Sequence, residues 1–139
     1  MPSTHTVLVV DDNPDHALLV RLAARRVLPD LDVRVVEEGE GALAYLAGEP
    51  PFGDREANPL PGLVILDLLL PGLGGFEILE WVGGRDELRR VPLVVLSSSV
   101  NPNDRRRSLE LGARSFHSKP PHVAELGETV GEILRRWVR

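Results

Sequence analysis

The chain has no cysteine among its 139 residues, which excludes disulfide bonds, cysteine-ligated zinc and thiol catalysis. It also has no excess of positive charge, because 16 basic residues face 21 acidic ones and leave a net charge of −5. Non-specific nucleic-acid binding needs a basic footprint that this balance does not provide. Residues 1–5 lack the charged and apolar regions of a signal peptide, and no apolar run approaches the ~20 residues of a membrane span. We therefore expect a cytoplasmic domain that binds neither nucleic acid nor membranes.

The length of the chain sets the expected number of domains. One domain usually takes about 100–200 residues, so we expect a single domain over residues 1–139 and no output domain attached to it. Apolar residues make up 42% of the chain and charged residues 27%, an ordinary globular composition that argues against disorder. A domain of this size buries enough apolar surface to fold without disulfide or metal staples.

Short apolar runs alternate with amphipathic segments along the chain. The runs predict five strands, at Thr6–Val10, Val33–Val36, Leu63–Leu66, Leu93–Leu96 and Ser115–Ser118. An amphipathic segment follows each run, and the Asn-Pro pairs at residues 13–14 and 101–102 are typical helix starts. Strands that are apolar on both faces and alternate with helices predict a parallel sheet covered on both sides. The pattern therefore indicates an α/β fold, a flavodoxin-like doubly wound five-stranded parallel sheet of order 2-1-3-4-5 with five helices.

Polar side chains stand where four of the predicted strands end. They are Asp11 and Asp12 after the first strand, Asp67 after the third, Ser97 after the fourth and Lys119 after the fifth. Because ligands bind beyond the carboxyl ends of the strands in an open parallel sheet, we expect these groups to converge at one edge. Three carboxylates this close cannot all stay ionised without a cation. Oxygen ligands without cysteine favour a hard ion, and a shell with room for phosphate favours Mg²⁺.

Each of these residues also has a simpler explanation. An Asp pair at a helix start is usually a cap favoured by the helix dipole, and a single Asp or Ser after a strand usually serves a turn. Lys119 could reflect no more than a bias toward arginine, which supplies the other fifteen basic residues. A compact ammonium nevertheless suits a phosphoryl oxygen better than a planar guanidinium does. The joint pattern is far less expected by chance than any one of its parts.

Taken together, these residues resemble the receiver domain of two-component response regulators, from about Thr6 to Trp137. The similarity rests on three acids, a hydroxyl, a lysine, two prolines and a glycine at the family's spacing: Asp11-Asp12, Asp67, Pro71, Gly75, Ser97 and Lys119-Pro120. The resemblance implies that Asp67 takes a phosphoryl group from a sensor histidine kinase. It also implies that Asp12, Asp67 and the backbone carbonyl of Leu69 bind Mg²⁺ directly, with Asp11 acting mainly through water.

The same resemblance implies how phosphorylation changes the surface of the domain. Lys119 and Ser97 contact the phosphoryl group, Ser97 draws its loop inward, and the aromatic Phe116 on the fifth strand changes rotamer. The output is a population shift of the face formed by the fourth helix, the fifth strand and the fifth helix. Such a domain is not an enzyme acting on other molecules, since it catalyses only its own phosphorylation and dephosphorylation.

A long loop points to one subgroup within the receiver family. Residues 48–62 contain four prolines and predict a loop longer than the usual length of about 4–6 residues before the third strand. With this loop and no output domain, the chain is similar to the single-domain regulators that partner bacterial phytochrome kinases. We therefore expect a sensor histidine kinase, and specifically a phytochrome, as the phosphoryl donor.

Two other functions are compatible with parts of the pattern. One is a Mg²⁺-dependent phosphatase with an aspartyl nucleophile on a similar sheet, which needs two acids in a D-x-D arrangement after the first strand and usually a cap domain. Here Asp11 and Asp12 are adjacent. The other is a degenerate receiver that binds partners without being phosphorylated, against which the full set of site residues argues.

A receiver without an output domain signals through its own surface, so we expect a homodimer through the fourth helix, the fifth strand and the fifth helix. The predicted contact combines an apolar stripe on the last helix with a basic run on the fourth: Leu126, Val130, Ile133, Trp137, Arg105, Arg106 and Arg107. Glu125, Glu128 and Glu132 would pair with the arginines. The alternatives are that the stripe only packs on the sheet, that the arginines form a solvated helix face, and that the domain is monomeric.

The histidines and the glycine cluster add no candidate site. His5, His16, His117 and His122 have no metal-ligand spacing and are interpreted as surface or packing residues. The glycines at positions 72, 74 and 75 follow the third strand without the G-x-G-x-x-G spacing of a nucleotide-binding loop.

Overall fold

The computed structural model describes residues 3–138, with side chains from residue 5 onward, so the ends of the predicted domain at residues 1, 2 and 139 lie outside the described residues. Strand and helix alternate five times, in the order β1 (Ser3–Val10), α1 (Pro14–Val27), β2 (Asp32–Val36), α2 (Gly39–Ala47), β3 (Pro61–Leu66), α3 (Gly75–Gly83), β4 (Leu93–Ser97), α4 (Pro102–Glu110), β5 (Ser115–Ser118) and α5 (Val123–Trp137). A short 3-10 turn, Asp86–Leu88, lies between α3 and β4 and is absent from the sequence prediction. No helix within residues 3–138 has the length and apolar character needed to cross a membrane.

All five strands lie in one parallel sheet of order β2-β1-β3-β4-β5, as predicted. β1 lies between β2 and β3, and its Val9 pairs with Val35 on one side and Ile65 on the other. The chain passes from β1 outward to β2 and then returns across β1 to β3. The strand order therefore reverses beside β1, and the carboxyl ends of β1 and β3 form the switch point at which such sheets bind ligands.

Each face of the sheet carries its own apolar core because successive strand residues point to opposite faces. Val7 and Val9 of β1 belong to the core that α1 and α5 cover, whereas Leu8 and Val10 belong to the core that α2 and α3 cover. All four side chains are at most 1% exposed. Burial on both faces explains why the central strands read as uninterrupted apolar runs, and it holds their carboxyl ends in place at one edge.

Helix α5 turns toward the core the residues that we expected on its surface. Leu126, Val130 and Ile133 are 4%, 0% and 1% exposed and belong to the core between α1, α5 and the sheet. Trp137 is partly buried and packs against the same cluster. Because these side chains already cover the sheet of their own chain, they have little area left for a second molecule. The expectation that Leu126, Val130 and Ile133 extend an apolar stripe into a dimer contact is therefore wrong, whereas Trp137 remains partly exposed.

The long loop before β3 is held against the end of α2. Arg55 Nη1 donates to the carbonyl of Tyr45 at 2.9 Å, and its Nη2 donates to the carbonyl of Leu46 at 2.8 Å. The Tyr45 hydroxyl donates to the carbonyl of Pro59 at 2.9 Å, and the Phe52 ring lies 5.0 Å from the Tyr45 ring. Burial raises the pKa of Tyr45, so its phenol stays protonated as a donor near neutral pH. The loop thus has a defined path into β3.

Candidate functional site

Three carboxylates meet at the carboxyl edge of the sheet. The backbone N–H of Asp11 donates to the carbonyl of Val36 at 3.1 Å, and that of Asp67 donates to the carbonyl of Val10 at 2.9 Å. These bonds continue the strand ladders by one residue and bring both acids to the same edge. Carboxylate oxygens of Asp11, Asp12 and Asp67 lie within 4.8 Å of one another. Asp11 and Asp67 are each 6% exposed, whereas Asp12 faces solvent.

Lys119 joins this cluster from β5. Its backbone N–H donates to the carbonyl of Ser97 at 2.7 Å, which fixes the end of β5 against the end of β4. Its Nζ lies 2.8 Å from Asp11 Oδ2 and 2.9 Å from Asp67 Oδ2, and the side chain is only 5% exposed. A buried charge is tolerated when it is paired and hydrogen-bonded, and this ammonium meets both conditions.

The other oxygen of each buried carboxylate accepts a backbone N–H. Asn13 N donates to Asp11 Oδ1 at 2.9 Å, and Leu69 N donates to Asp67 Oδ1 at 3.1 Å. Each carboxylate oxygen can accept more than one bond, so the three acids still offer lone pairs to a cation. Three clustered carboxylates are hard oxygen donors, which fits Mg²⁺ or a similar divalent ion. The Leu69 side chain is 61% exposed and plays no part in this donor set.

Ser97, at the end of β4, is fully buried, and its hydroxyl is linked to α4 by hydrogen bonds through Ser99. The backbone N–H of Ser99 donates to Ser97 Oγ at 3.3 Å, and Ser99 Oγ donates to Asp104 Oδ2 at 2.6 Å. Asp104 lies in the first turn of α4. Phe116, on β5, is 7% exposed and packs inward in the core on the α2 and α3 face. Two hydrogen bonds thus join the Ser97 hydroxyl to the first turn of α4.

Gly75 explains how α3 begins so close to Asp67. A Cβ at this position would lie 2.7 Å from the Cα of Leu68 and 2.8 Å from the carbonyl oxygen of Asp67, both backbone atoms. The N–H of Gly75 also donates to the carbonyl of Leu68 at 3.1 Å. Only a residue without a side chain allows this approach without a backbone shift.

His16 is the site residue that the sequence interpretation missed. Its Nδ1 lies 2.8 Å from Lys119 Nζ and 3.5 Å from Asp11 Oδ2, and its side chain is 29% exposed. The interpretation of His16 as a surface or packing residue is therefore wrong. The available signal was the helix start at Asn13 and Pro14, which puts residue 16 in the first turn of α1 at the same edge as the acids.

The basic run on α4, Arg105 to Arg107, is solvent-exposed. Arg105 Nη1 donates to the carbonyl of Phe116 at 3.5 Å. Arg106 Nη2 donates to Asn103 Oδ1 at 2.6 Å. The Arg107 guanidinium lies over the Phe76 ring, 4.3 Å from its centroid. All three arginines thus already have partners within their own chain.

Comparison with known proteins gives one consistent result. A family model described as the response regulator receiver domain matches residues 7–131. The probable methanogenesis regulatory protein FilR2 of Methanothrix harundinacea is 34% identical over 132 residues, which cover 95% of this chain and 83% of that protein. Response regulator Rcp1 of Synechocystis is 30% identical over 132 residues, covering 95% of this chain and 88% of Rcp1.

Solved structures agree with the sequence matches. The phosphorylated cyanobacterial phytochrome response regulator RcpA superposes with a TM-score of 0.90 at 30% identity, covering 97% of this chain and 94% of that chain. The Mn²⁺-bound form of Rcp1 superposes with a TM-score of 0.89 at 29% identity, covering 97% of this chain and 95% of that chain. The family match spans nearly all five strand–helix units and includes the acidic cluster. The chain therefore belongs to the receiver-domain family of response regulators.

Proposed function

We propose that this chain is a phosphoacceptor, in which Asp67 takes a phosphoryl group from a phosphohistidine of a sensor histidine kinase. The observation that carries the proposal is the buried Asp67 carboxylate held 2.9 Å from the Lys119 ammonium beside Asp11 and Asp12. A carboxylate oxygen of Asp67 forms a bond to phosphorus while the bond from phosphorus to the kinase imidazole nitrogen breaks. The products are an aspartyl phosphate and a free imidazole. The chain catalyses only its own phosphorylation and dephosphorylation.

Phosphoryl transfer depends on positioning of the reacting groups and on neutralisation of their charge. Different residues around Asp67 contribute to each. The N–H of Leu69 donates to Asp67 Oδ1 and orients the carboxylate. Lys119 supplies a positive charge that is shielded from water, and the Ser97 hydroxyl hydrogen-bonds a phosphoryl oxygen after transfer. Mg²⁺, when bound, neutralises phosphoryl oxygens.

The residues we propose to hold Mg²⁺ are Asp12, Asp67 and the backbone carbonyl of Leu69, with Asp11 contributing mainly through water. Support comes from the hard-oxygen donor set of the three acids and from the relative Rcp1, which has a Mn²⁺-bound form. Asp12 faces solvent, which leaves room on that side for the water molecules that Mg²⁺ retains.

We propose that phosphorylation changes the face formed by α4, β5 and α5. When rotation of the Ser97 side chain brings its Oγ toward a phosphoryl oxygen, the Ser99 N–H that donates to this Oγ is drawn in the same direction. The hydrogen bond from Ser99 Oγ to Asp104 Oδ2 transmits this movement to the first turn of α4. Phe116 has no hydroxyl, so its inward rotamer rests on packing alone. The result is a shift between two populations of this surface.

The phosphoryl donor that we propose is a phytochrome-type histidine kinase in the cytoplasm. This identification is supported by the similarity to RcpA, a phytochrome response regulator, over almost the whole of both chains. The test is phosphotransfer from a purified phytochrome kinase, compared with transfer from a histidine kinase of another sensory class. Faster transfer from the unrelated kinase refutes the phytochrome assignment but leaves the phosphoacceptor function standing.

A homodimer through α4, β5 and α5 also stays a proposal, with a revised contact. Leu126, Val130 and Ile133 are unavailable, so the contact would combine the exposed arginines 105 to 107 of α4 with the exposed Leu109. A two-fold dimer would use the same patch on both chains. Ultracentrifugation at micromolar concentration, with and without phosphorylation, tests it. A dimer that survives charge reversal of all three arginines, or a monomer in both states, refutes the contact.

The phosphoacceptor proposal is tested by incubation with acetyl phosphate, with and without Mg²⁺, followed by intact-mass measurement. The wild type should gain one phosphate in the presence of Mg²⁺, Asp67→Asn should gain none, and the exposed-site control Asp30→Asn should match the wild type. A phosphorylated Asp67→Asn variant overturns the assignment. A wild type that gains no phosphate supports the degenerate receiver, and repeated release of phosphate from a phosphomonoester supports the phosphatase.

A further inference from the structure

The Lys119 ammonium has three protons and makes three contacts. Two go to Asp11 Oδ2 and Asp67 Oδ2, at 2.8 and 2.9 Å, and the third goes to His16 Nδ1 at 2.8 Å. An ammonium can only donate, so His16 Nδ1 must be an acceptor without a proton. Asn13 Nδ2 faces the other ring nitrogen, Nε2, at the longer distance of 3.4 Å. The shorter contact with a charged group that can only donate decides which nitrogen accepts, so the ring proton is assigned to Nε2.

We propose that His16 is a positioning residue that directs the Lys119 ammonium during phosphoryl transfer, an inference that rests on the proposed phosphoacceptor function. His16 acts through Lys119 rather than on the phosphoryl group. It accepts a hydrogen bond from the ammonium through Nδ1 and, unlike a carboxylate, brings no negative charge to the lysine. A third carboxylate at this position would hold Lys119 as well but would cancel the charge that phosphoryl oxygens require.

The contact between His16 and Lys119 becomes more important to the orientation of the ammonium as the reaction proceeds. Before transfer, Asp67 and Asp11 share the ammonium as two charged acceptors. Once an Asp67 oxygen bonds to phosphorus, the carboxylate loses its charge and its hold on Lys119 weakens. Asp11 and His16 then remain as the acceptors that keep the third N–H aimed at the phosphoryl group. The ammonium is thus already oriented when the charge on the phosphoryl oxygens has to be neutralised.

The position of the imidazole is fixed by the start of α1. Asn13 caps the helix by accepting from Asp15 N at 2.9 Å, and Ala17 N donates to the carbonyl of Asn13 at 3.2 Å. The same Asn13 donates its N–H to Asp11 Oδ1 at 2.9 Å. His16 is therefore held in register with the carboxylate that shares its lysine. The His16 side chain is 29% exposed and the Lys119 side chain only 5%, so the imidazole lies between the ammonium and solvent.

The test replaces the imidazole with and without an acceptor in the same place. In His16→Asn the amide oxygen lies near the position of Nδ1, whereas His16→Leu keeps a similar volume without an acceptor. Phosphorylation by acetyl phosphate is measured at saturating Mg²⁺ over a range of donor concentrations. His16→Leu should lower the maximal rate about tenfold, the size of effect expected when a hydrogen bond to a charged group is lost. The half-saturating donor concentration should stay within about twofold, and His16→Asn should recover most of the rate.

The controls separate positioning from folding and from the phosphoacceptor function. His122→Leu removes an exposed imidazole and should keep the wild-type rate. A wild-type maximal rate in His16→Leu, or equal losses in His16→Leu and His16→Asn, overturns the inference. If the wild type itself gains no phosphate, it is the phosphoacceptor proposal that fails.

A second measurement needs no variant of His16. Nitrogen NMR of labelled wild-type protein near neutral pH should show His16 with an unprotonated Nδ1 and a protonated Nε2. The Nδ1 resonance should move in Lys119→Met, while the resonances of His122 should not. A neutral His16 that carries its proton on Nδ1 overturns the inference even if His16→Leu does not fold.

Discussion

Asp67 Oδ2 and Lys119 Nζ lie 2.9 Å apart although 52 residues separate them in the chain, and both side chains are almost fully buried. The contact joins the end of β3 to the end of β5 across β4. A buried ion pair adds little net stability by itself, but removal of one partner leaves an uncompensated charge. Here one lysine compensates two buried carboxylates, so loss of Lys119 leaves more uncompensated charge than loss of either aspartate.

Replacement of Lys119 by methionine is therefore expected to lower the free energy of unfolding by about 3 kcal/mol near neutral pH. Added Mg²⁺ should restore part of the loss, because a divalent cation also compensates Asp11 and Asp67. Urea unfolding with and without Mg²⁺ measures both effects. The matched control is Arg89→Met, which removes an equally short pair with Asp86, at 2.8 Å, whose side chains are 76% and 93% exposed. That control should change stability by no more than about 1 kcal/mol, and an equal loss in the two variants would contradict the role of burial.

Asp12 contributes differently, because it faces solvent and lies within the acidic cluster. Asp12→Ala is expected to weaken Mg²⁺ binding about tenfold or more, since it removes one of the few protein ligands of the proposed shell. It should also raise stability without metal, because it relieves repulsion among three carboxylates. Calorimetric titration with Mg²⁺ measures the affinity. Asp15→Ala removes an exposed acid in the first turn of α1, outside the cluster, and should bind Mg²⁺ like the wild type. Unchanged affinity in Asp12→Ala refutes the proposed shell.

Much of the fold and of the acidic cluster could be predicted from sequence, because both depend on patterns local to each strand. Runs that are apolar on both faces specify buried parallel strands. In such a sheet every carboxyl end lies at the same edge, so the acids at residues 11, 12 and 67 and the lysine at 119 had to converge. No knowledge of side-chain packing was needed for that conclusion.

The features that the sequence did not reveal depend on how elements are rotated against one another. An apolar stripe with Leu126, Val130 and Ile133 has the same spacing whether it covers the sheet or a second molecule, and only the packed structure shows that it is buried. His16 contacts a lysine 103 residues away, and helical spacing alone does not tell which way its ring points. Composition likewise marks the loop before β3 but not its attachment through Arg55.

Gly75 offers a test of how closely α3 and the site are coupled. In Gly75→Ala the new Cβ meets backbone atoms of Leu68 and Asp67 at 2.7 and 2.8 Å, so the backbone must move. We expect a loss of about 1–3 kcal/mol, as for an overpacked core, together with weaker Mg²⁺ binding because Asp67 is displaced. The control is Gly127→Ala in α5, where the added Cβ meets nothing within 4 Å apart from its chain neighbours and the backbone of its own helix. That variant should gain about 0.5–1 kcal/mol in urea unfolding, since alanine favours a helix interior, and an unperturbed Gly75→Ala would refute the coupling.

His117 on β5 makes the stability of the α4, β5 and α5 face depend on pH. Burial lowers the pKa of His117 below its ordinary value of 6.5; Glu132 raises it, while Arg105 and Arg136 lower it further. Ser115 Oγ lies 3.0 Å from its Nε2. Between the lowered pKa of the folded state and 6.5, the unfolded chain binds more protons than the folded one. The contribution of the neutral ring is therefore complete above 6.5 and is lost as the pH falls through the pKa of the folded state.

His117→Gln, which keeps a polar side chain but cannot titrate, should flatten this part of the stability curve. The measurement is urea unfolding of wild type and variant at a series of pH values from about 8 to 5, a range that contains the ordinary histidine pKa. The difference between the two curves isolates His117, because acidic groups that titrate at the lower end contribute to both. His122→Gln removes an exposed imidazole and should give a curve parallel to that of the wild type. If His117→Gln loses stability on acidification as steeply as the wild type does, the buried imidazole is not the cause.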